Sequence, residues 1–342
     1  MNALLAGPRG RRLCLELAAE LDPQVSSAVF ELGYDLDPGK GTSVVLFGPG
    51  AGASRVIPSP QELAALLVSV DLSRVDAELV FAALESTVLT AMYWQPPDGV
   101  DVLAALPAIQ EALGPVAARV ADAAPHLGRP ARTEQWAIDW REPDDPAPLG
   151  MDPRQKLERW GRNIRMDEAR ALEAARDVRS NWSGPWWSIP SGLLGTVGCI
   201  PAGLSLVEDA PGWIGAVTIP VRGTGRTFEI HTAEDWVHLC RRHPLEVTAS
   251  RRQAWFRVTG RDGRWVIPDW ERVADEWDAV HLTVEGYLSG AGRTVEVDAE
   301  QASVIAGWDP DRTIWLSDVV RETGPRQFWH RAQQGDLWRQ ST

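Results

Sequence analysis

Tryptophan is distributed so unevenly along the chain that it sets the architecture: of 17 in 342 residues, Trp94 alone precedes residue 130 and 16 fall from Trp136 onward. Indole rings are large and gain most when packed. Two regions of different construction follow, a Trp-poor one and a Trp-rich one. At this length, with 44% hydrophobic residues, the chain can bury one large core or two ordinary ones. That excludes a disordered, fibrous or small disulfide-stapled protein.

Residues 1–140 read as a mainly helical domain with a short strand pair. SPQELAALLVSV offers Ser59 as N-cap, Pro60 at the first helical position and Glu62 at the third, a capping box. VDAELVFAALESTVLTAMYW has apolar residues at helical spacing, and DVLAALPAIQEALGPVAARVADA adds short helices interrupted by Pro107 and Pro115. Between the first helix and these, residues 28–57 read as two short strands and a turn. Residues 141–180 are a Pro- and Asp-rich linker followed by a highly charged helix that crosses the surface or bridges the two regions. Residues 181–342 read as a Trp-rich, mostly antiparallel α+β domain. Its expected strands are LLGTVGCI, LSLVED, WIGAVTIPV, RTFEIH, AWFRVTG, RWVIPDW, AVHLTV, RTVEV, ASVIAGW and TIWLSDV, with helical AEDWVHLCRRH and WERVADEW between them.

The formal charge is -13, from 34 basic and 47 acidic residues. This argues against nonspecific nucleic-acid binding and against a basic membrane-surface protein, because both need a field of Lys and Arg. Only Lys40 and Lys156 are lysines, and a GC-rich coding bias explains the arginine excess without a phosphate-binding role. The first residues alternate charged and apolar, unlike a signal peptide, and no apolar stretch approaches the ~20 residues of a bilayer span. Cys14, Cys199 and Cys240 are odd in number and widely spaced, which fits reduced thiols. The expectation is a soluble, cytoplasmic protein.

Most motif candidates reduce to local structure. In GYDLDPGKGT, Gly33 is one residue too far from Gly39, and Gly41 stands where a P-loop needs a hydroxyl, so a turn is the reading. GPGAGAS, residues 48–54, lacks dinucleotide-binding spacing. The six histidines form no HExxH and no CxxC accompanies them, so no zinc is expected. No GxSxG elbow occurs. Thr232 caps a helix with Glu234 and Asp235 in its first turn, and in PDWERVADEWD Asp269 caps while Trp270 and Trp277 pack as core. Glu208 and Asp209 mark a turn, and would hold magnesium only with a third oxygen ligand from elsewhere.

Two constellations carry possible chemistry. Strand alternation puts Thr227, Glu229 and His231 on one face of RTFEIH, His281 and Thr283 on one face of AVHLTV, and Thr294, Glu296 and Asp298 on one face of RTVEVD. Were the three strands neighbours, His231, His281 and Glu296 would form an acid–base set; otherwise these rows simply face water. In NWSGPWWSIPSG, Trp182, Trp186 and Trp187 are broken by Gly184 and Pro185, so a turn displays several indoles. They suit stacking on a flat ligand, or else plug the space between regions.

With Arg222 and Arg226 before a strand, then a helix, WDAVHLTVEGYL and a final strand pair, the order of elements over about a third of the chain loosely resembles NAD-using ADP-ribosyl transfer domains. The family's defining triplets are missing in recognisable form, so no catalytic role is carried over. The resemblance implies that an Arg would neutralise the pyrophosphate, Tyr287 would clamp nicotinamide and Glu296 would stabilise oxocarbenium charge. The leading expectation is a protein that binds a small polar or aromatic ligand in a Trp-lined cleft of the C-terminal domain, as binder or enzyme, with no cofactor named. The competing one is a noncatalytic protein that engages a protein partner or a second copy of itself through its helical region and charged helix.

Overall fold

The structure, a computed structural model, describes residues 3–40, 57–141, 152–174, 176–180, 182, 184–210 and 212–341. It divides into two compact units: Met1–Thr87 with Gln95–Pro125, and Val88–Trp94 with His126–Thr342. The first expected domain, 1–140, thus runs past the first unit, because Glu134–Asp139 is a strand inside the second unit's sheet.

The helices before residue 125 are α1 (Pro8–Leu21), α2 (Pro23–Leu36), α3 (Pro60–Ser69), α4 (Ala77–Leu89), α5 (Gly99–Ala104), α6 (Pro107–Ala112) and α7 (Gly114–Ala123). Pro107 and Pro115 do not interrupt helices; like Pro8, Pro23 and Pro60 they sit in the first turn, where the missing N–H costs nothing. The Ser59 capping box forms: the Ser59 backbone N–H donates to Glu62 Oε2 at 2.6 Å, and the Glu62 N–H donates to Ser59 Oγ at 3.2 Å. Leu13, Leu15 and Leu17 are fully buried, and the nearly buried Arg12 is neutralised by Glu16 and Asp98 at 2.6 and 2.9 Å. The strand reading of residues 28–36 is corrected: they continue α2, which starts upstream, where Asp22 accepts from the Gln24 N–H at 2.7 Å. The second expected strand, GPGAGAS and most of the 141–152 linker lie outside the described residues. Lys40 closes a turn, its N–H donating to the Asp37 carbonyl at 2.9 Å.

The second unit holds β1 (Glu134–Asp139), α8 (Pro153–Ala174), β2 (Gly195–Val197), α9 (Ala202–Ser205), β3 (Gly215–Gly223), β4 (Thr227–Ile230), α10 (Ala233–Arg242), β5 (Pro244–Glu246) and α11 (Thr248–Thr259). Then come β6 (Arg264–Pro268), α12 (Trp270–Val273), β7 (Ala279–Leu282), α13 (Val284–Gly290), β8 (Val295–Glu296), β9 (Gln301–Ser303), β10 (Arg312–Trp315), β11 (Val320–Glu322), β12 (Gln327–His330) and β13 (Arg339–Gln340). The larger sheet runs β13-β12-β3-β1-β2-β10-β7-β4, with β11 also on β3; a smaller one runs β5-β6-β9-β8. Pairings are antiparallel except β4 with β7 and β6 with β9. The α+β architecture with a mostly antiparallel sheet is therefore as the residue patterns imply.

Two expected strands are helical. AWFRVTG completes α11, which ends at Gly260 in the left-handed region, φ 73°, and LSLVED begins in α9 and continues as a turn with Asp209 at φ 47°. The charged helix is α8; Leu157, Trp160 and Ile164 bury one stripe of it, and it packs on α11 and α12. Trp236, Trp270 and Trp308 form the centre of the core, all fully buried, with ring centroids 5.7 to 6.3 Å apart. Asp269 precedes α12 without capping it by its side chain, and reaches Arg165 on α8 at 3.1 Å. Trp277 lies beyond α12, edge-on to Phe228 at 5.3 Å. Among the described residues no helix is long and apolar enough to cross a membrane.

Candidate functional site

His231, His281 and Glu296 do not converge. β8 pairs with β9 in the smaller sheet, so Glu296 never enters the sheet that holds His281; its side chain is 64% exposed and lies 3.7 Å from Arg261. His231 follows β4, where its backbone N–H donates to Asp235 Oδ2 at 3.0 Å and extends the cap of α10. The ADP-ribosyl transfer arrangement is likewise not assembled. Tyr287 is fully buried in α13, Arg222 pairs with Glu134 across the β1–β3 ladder, and the Arg226 backbone N–H donates to Asp278 at 2.7 Å.

The expectation holds in part for two strands. β4 and β7 are parallel neighbours with Glu229 opposite His281, but that face is covered, and His281 is 1% exposed. Its Nδ1 lies 2.6 Å from Glu229 Oε2 and its Nε2 3.3 Å from Asp311 Oδ1. Burial lowers the His281 pKa, but hydrogen bonds and charge from Asp311 and Glu229 outweigh it and hold the value above the ordinary one. Both carboxylates are held in turn: Glu229 accepts from the Ala131 N–H at 3.0 Å, and Asp311, in the left-handed region at φ 56°, accepts from the Gly198 N–H at 3.2 Å. A ring with both nitrogens engaged by carboxylates ties β4, β7 and the turn before β10 together. It presents no free nitrogen to a substrate.

The tryptophan segment leads elsewhere. Trp182 is 43% exposed and carries the Arg176 guanidinium 3.8 Å from its ring centroid. Trp186 stacks on Tyr93 at 5.7 Å and on Trp187 at 4.5 Å, and its carbonyl accepts from Trp255 Nε1 at 2.9 Å. Trp187, outermost of that stack, stays 50% exposed and forms one wall of a cleft of about 510 Å³. Gly307 backs the pair: a Cβ there would come within 2.4 Å of Trp187, and its φ of 73° already excludes an easy substitution.

Trp160 and Ile164 of α8 supply the apolar walls of this cleft, and Arg251 of α11 also lines it. Arg251 is 1% exposed, and its guanidinium pKa is pulled down to about 10 by burial, partly offset by the charges of Glu168 and Asp167. It donates to the Trp187 carbonyl at 3.2 Å and to Ser250 Oγ at 2.8 Å, and among the described residues it makes no ion pair. The Glu168 carboxylate is occupied at the start of α11, accepting the N–H groups of Ala249 and Ser250 at 2.7 and 2.8 Å. Lys156 and Arg159 add two more cations against the carboxylate of Asp167, the single one among the described residues that line the cleft. This is a locally positive, Trp-walled site in a chain of net charge -13.

Lys156 and Gly192 also line an adjoining cleft of about 350 Å³ with Asp139, Arg141 and Arg312. Glu208 and Asp209 gain no third ligand: among the described residues no three His, Cys, Asp or Glu side chains are arranged to hold a metal ion. Trp187 is among the sequence candidates, but Arg251 is not, since it lies just before the AWFRVTG run read as a strand and nothing local marks its burial. Comparison with known protein families, curated proteins and solved structures finds no match.

Proposed function

We propose that the second unit binds a small organic anion, a carboxylate or phosphate on a flat apolar body, in the cleft formed by Trp187, Trp160 and Arg251. The observation that carries this reading is Arg251. Among the described residues its buried guanidinium makes no ion pair, so the several kcal/mol of desolvation such a cation costs are only partly offset by the charges of Glu168 and Asp167, and an anion entering the cleft would offset more. Guanidinium offers a planar fork of donors suited to such a group, while indole supplies a flat face with little conformational freedom to lose. The acidic overall balance speaks for a small ligand and against nucleic acid. Cys14 and Cys240 are buried free thiols and Cys199 an exposed one, which supports a reducing, cytoplasmic setting for a soluble protein.

Thermal unfolding with a panel of aromatic carboxylates, aryl phosphates and their neutral amide or alcohol counterparts tests the reading. An anion at a hundred times its dissociation constant adds roughly 2.7 kcal/mol of stability, and its neutral counterpart adds none. Arg251→Met and Trp187→Ala each abolish the shift, the second without touching the buried guanidinium. Stabilisation by no anion, together with an oligomer or protein partner in light scattering, would overturn the proposal and favour an interaction protein.

A further inference from the structure

Lys156 is one of two lysines among 34 basic residues, so in this chain an amine, as opposed to a guanidinium, is a rare group. Lys40, the other, is ion-paired with Asp35. Lys156 lies in the first turn of α8 and lines both the Trp-walled cleft and the adjoining one. Its Nζ donates to the Gly192 carbonyl, and among the described residues no carboxylate pairs with it. We propose that Lys156 is an amine nucleophile that condenses with the carbonyl carbon of an anionic aldehyde or keto acid held in this cleft, forming an imine. This rests on the anion-binding reading above and deepens it by naming the second functional group of the ligand.

The chemistry follows from the placement. Arginine serves as well as lysine for holding an anion, or better, but a guanidinium does not form an imine; only an amine does. Attack needs the neutral amine. Burial, and then the charge of Arg159, lower the Lys156 pKa below the ordinary lysine range, and the carbonyl of Gly192 accepts an N–H from either protonation state. The Nζ lone pair forms the new C–N bond, and the carbonyl oxygen takes up both amine hydrogens and departs as water, leaving C=N. No oxidant or reductant is required. Arg251 and Arg159 bind the ligand's anionic group, and their charge also disfavours a third cation, the Lys156 ammonium, in the same cleft.

The scarcity of lysine makes the test clean. Pyridoxal 5′-phosphate is a flat aromatic aldehyde bearing a phosphate, and pyridoxine 5′-phosphate is its counterpart without the carbonyl. The full-length protein is incubated with the aldehyde, reduced with borohydride and digested for peptide mass spectrometry. The expected result is a reduced adduct on Lys156 whose yield falls when excess pyridoxine 5′-phosphate competes for the cleft, with Lys40, ion-paired to Asp35, labelled several-fold more slowly and indifferent to that competitor. Lys156→Arg removes that adduct while pyridoxine 5′-phosphate still raises the melting temperature. A shift with pyridoxine 5′-phosphate but no preferential labelling of Lys156 overturns the imine alone. No shift with either phosphate overturns the anion site and the imine with it.

Discussion

His281 owes its raised pKa to the two carboxylates that engage it, and the sign of its effect on stability follows. Because the folded pKa lies above the ordinary value of about 6.5, the charged form is the one the fold favours. Its contribution is complete below that ordinary value and is lost as pH rises through the folded one. Chemical unfolding of the native protein and of His281→Gln should therefore differ most in mild acid, by about 2 kcal/mol, the size of hydrogen bonds to a charged group, and the gap should narrow on moving to alkaline pH. His243 opposes this: burial lowers its pKa against the pull of Glu276 at 3.5 Å, so its contribution is present above the ordinary value and fades as pH falls through the folded one. Histidine resonances followed by NMR should show the two titrating on opposite sides of the unfolded position. Glu229, the partner of His281, is legible from strand alternation. Asp311 is not, because it enters from a turn 30 residues beyond His281 in a left-handed conformation that alternation does not describe. Gly307→Ala should cost about 1 to 3 kcal/mol of strain and weaken anion binding by displacing Trp187, read by calorimetric titration with an aryl phosphate.

The helix starts at Ser59 and Thr232, written within four residues of sequence, are legible, whereas that of α11, completed from far along the chain, is not. Thr232 with Asp235, like Ser59 with Glu62, satisfies the first amides of its helix within four residues of sequence, and Thr232→Ala should destabilise by about 1 kcal/mol in urea unfolding. α11 has no such signature. Val247 gives no side-chain cap, and the carboxylate on the N–H groups of Ala249 and Ser250 comes from Glu168, on α8. Without that information the W-F-R-V-T run resembles a strand, and α2 is misread for a simpler reason, that its start at Pro23 lies upstream of the apolar run. Glu168→Ala should thus lower stability by about 1 kcal/mol and also lower anion affinity without touching the ligand, since it loosens the turn of α11 that carries Arg251. Comparing calorimetric titrations of Glu168→Ala and Glu168→Gln checks this, with the amide retaining part of the cap.

For the whole molecule, the uneven tryptophan count proved a better guide than any motif. It located the half with the large sheet, and within it the core of Trp236, Trp270 and Trp308, where Trp308→Ala should cost about 3 to 5 kcal/mol. The Trp-rich half was legible, but the lining of its candidate cleft was only partly so, because strand order and the burial of one arginine are set by contacts among residues distant in sequence. Even Trp94, the exception in the opening count, belongs to the second unit, packed 5.2 Å from Trp186. All 17 indoles thus sit in one unit, and the other, Met1–Thr87 with Gln95–Pro125, has none. Under red-edge excitation, which spares tyrosine, one unit is lit and the other dark: the intrinsic emission watches the second unit alone, with no label attached.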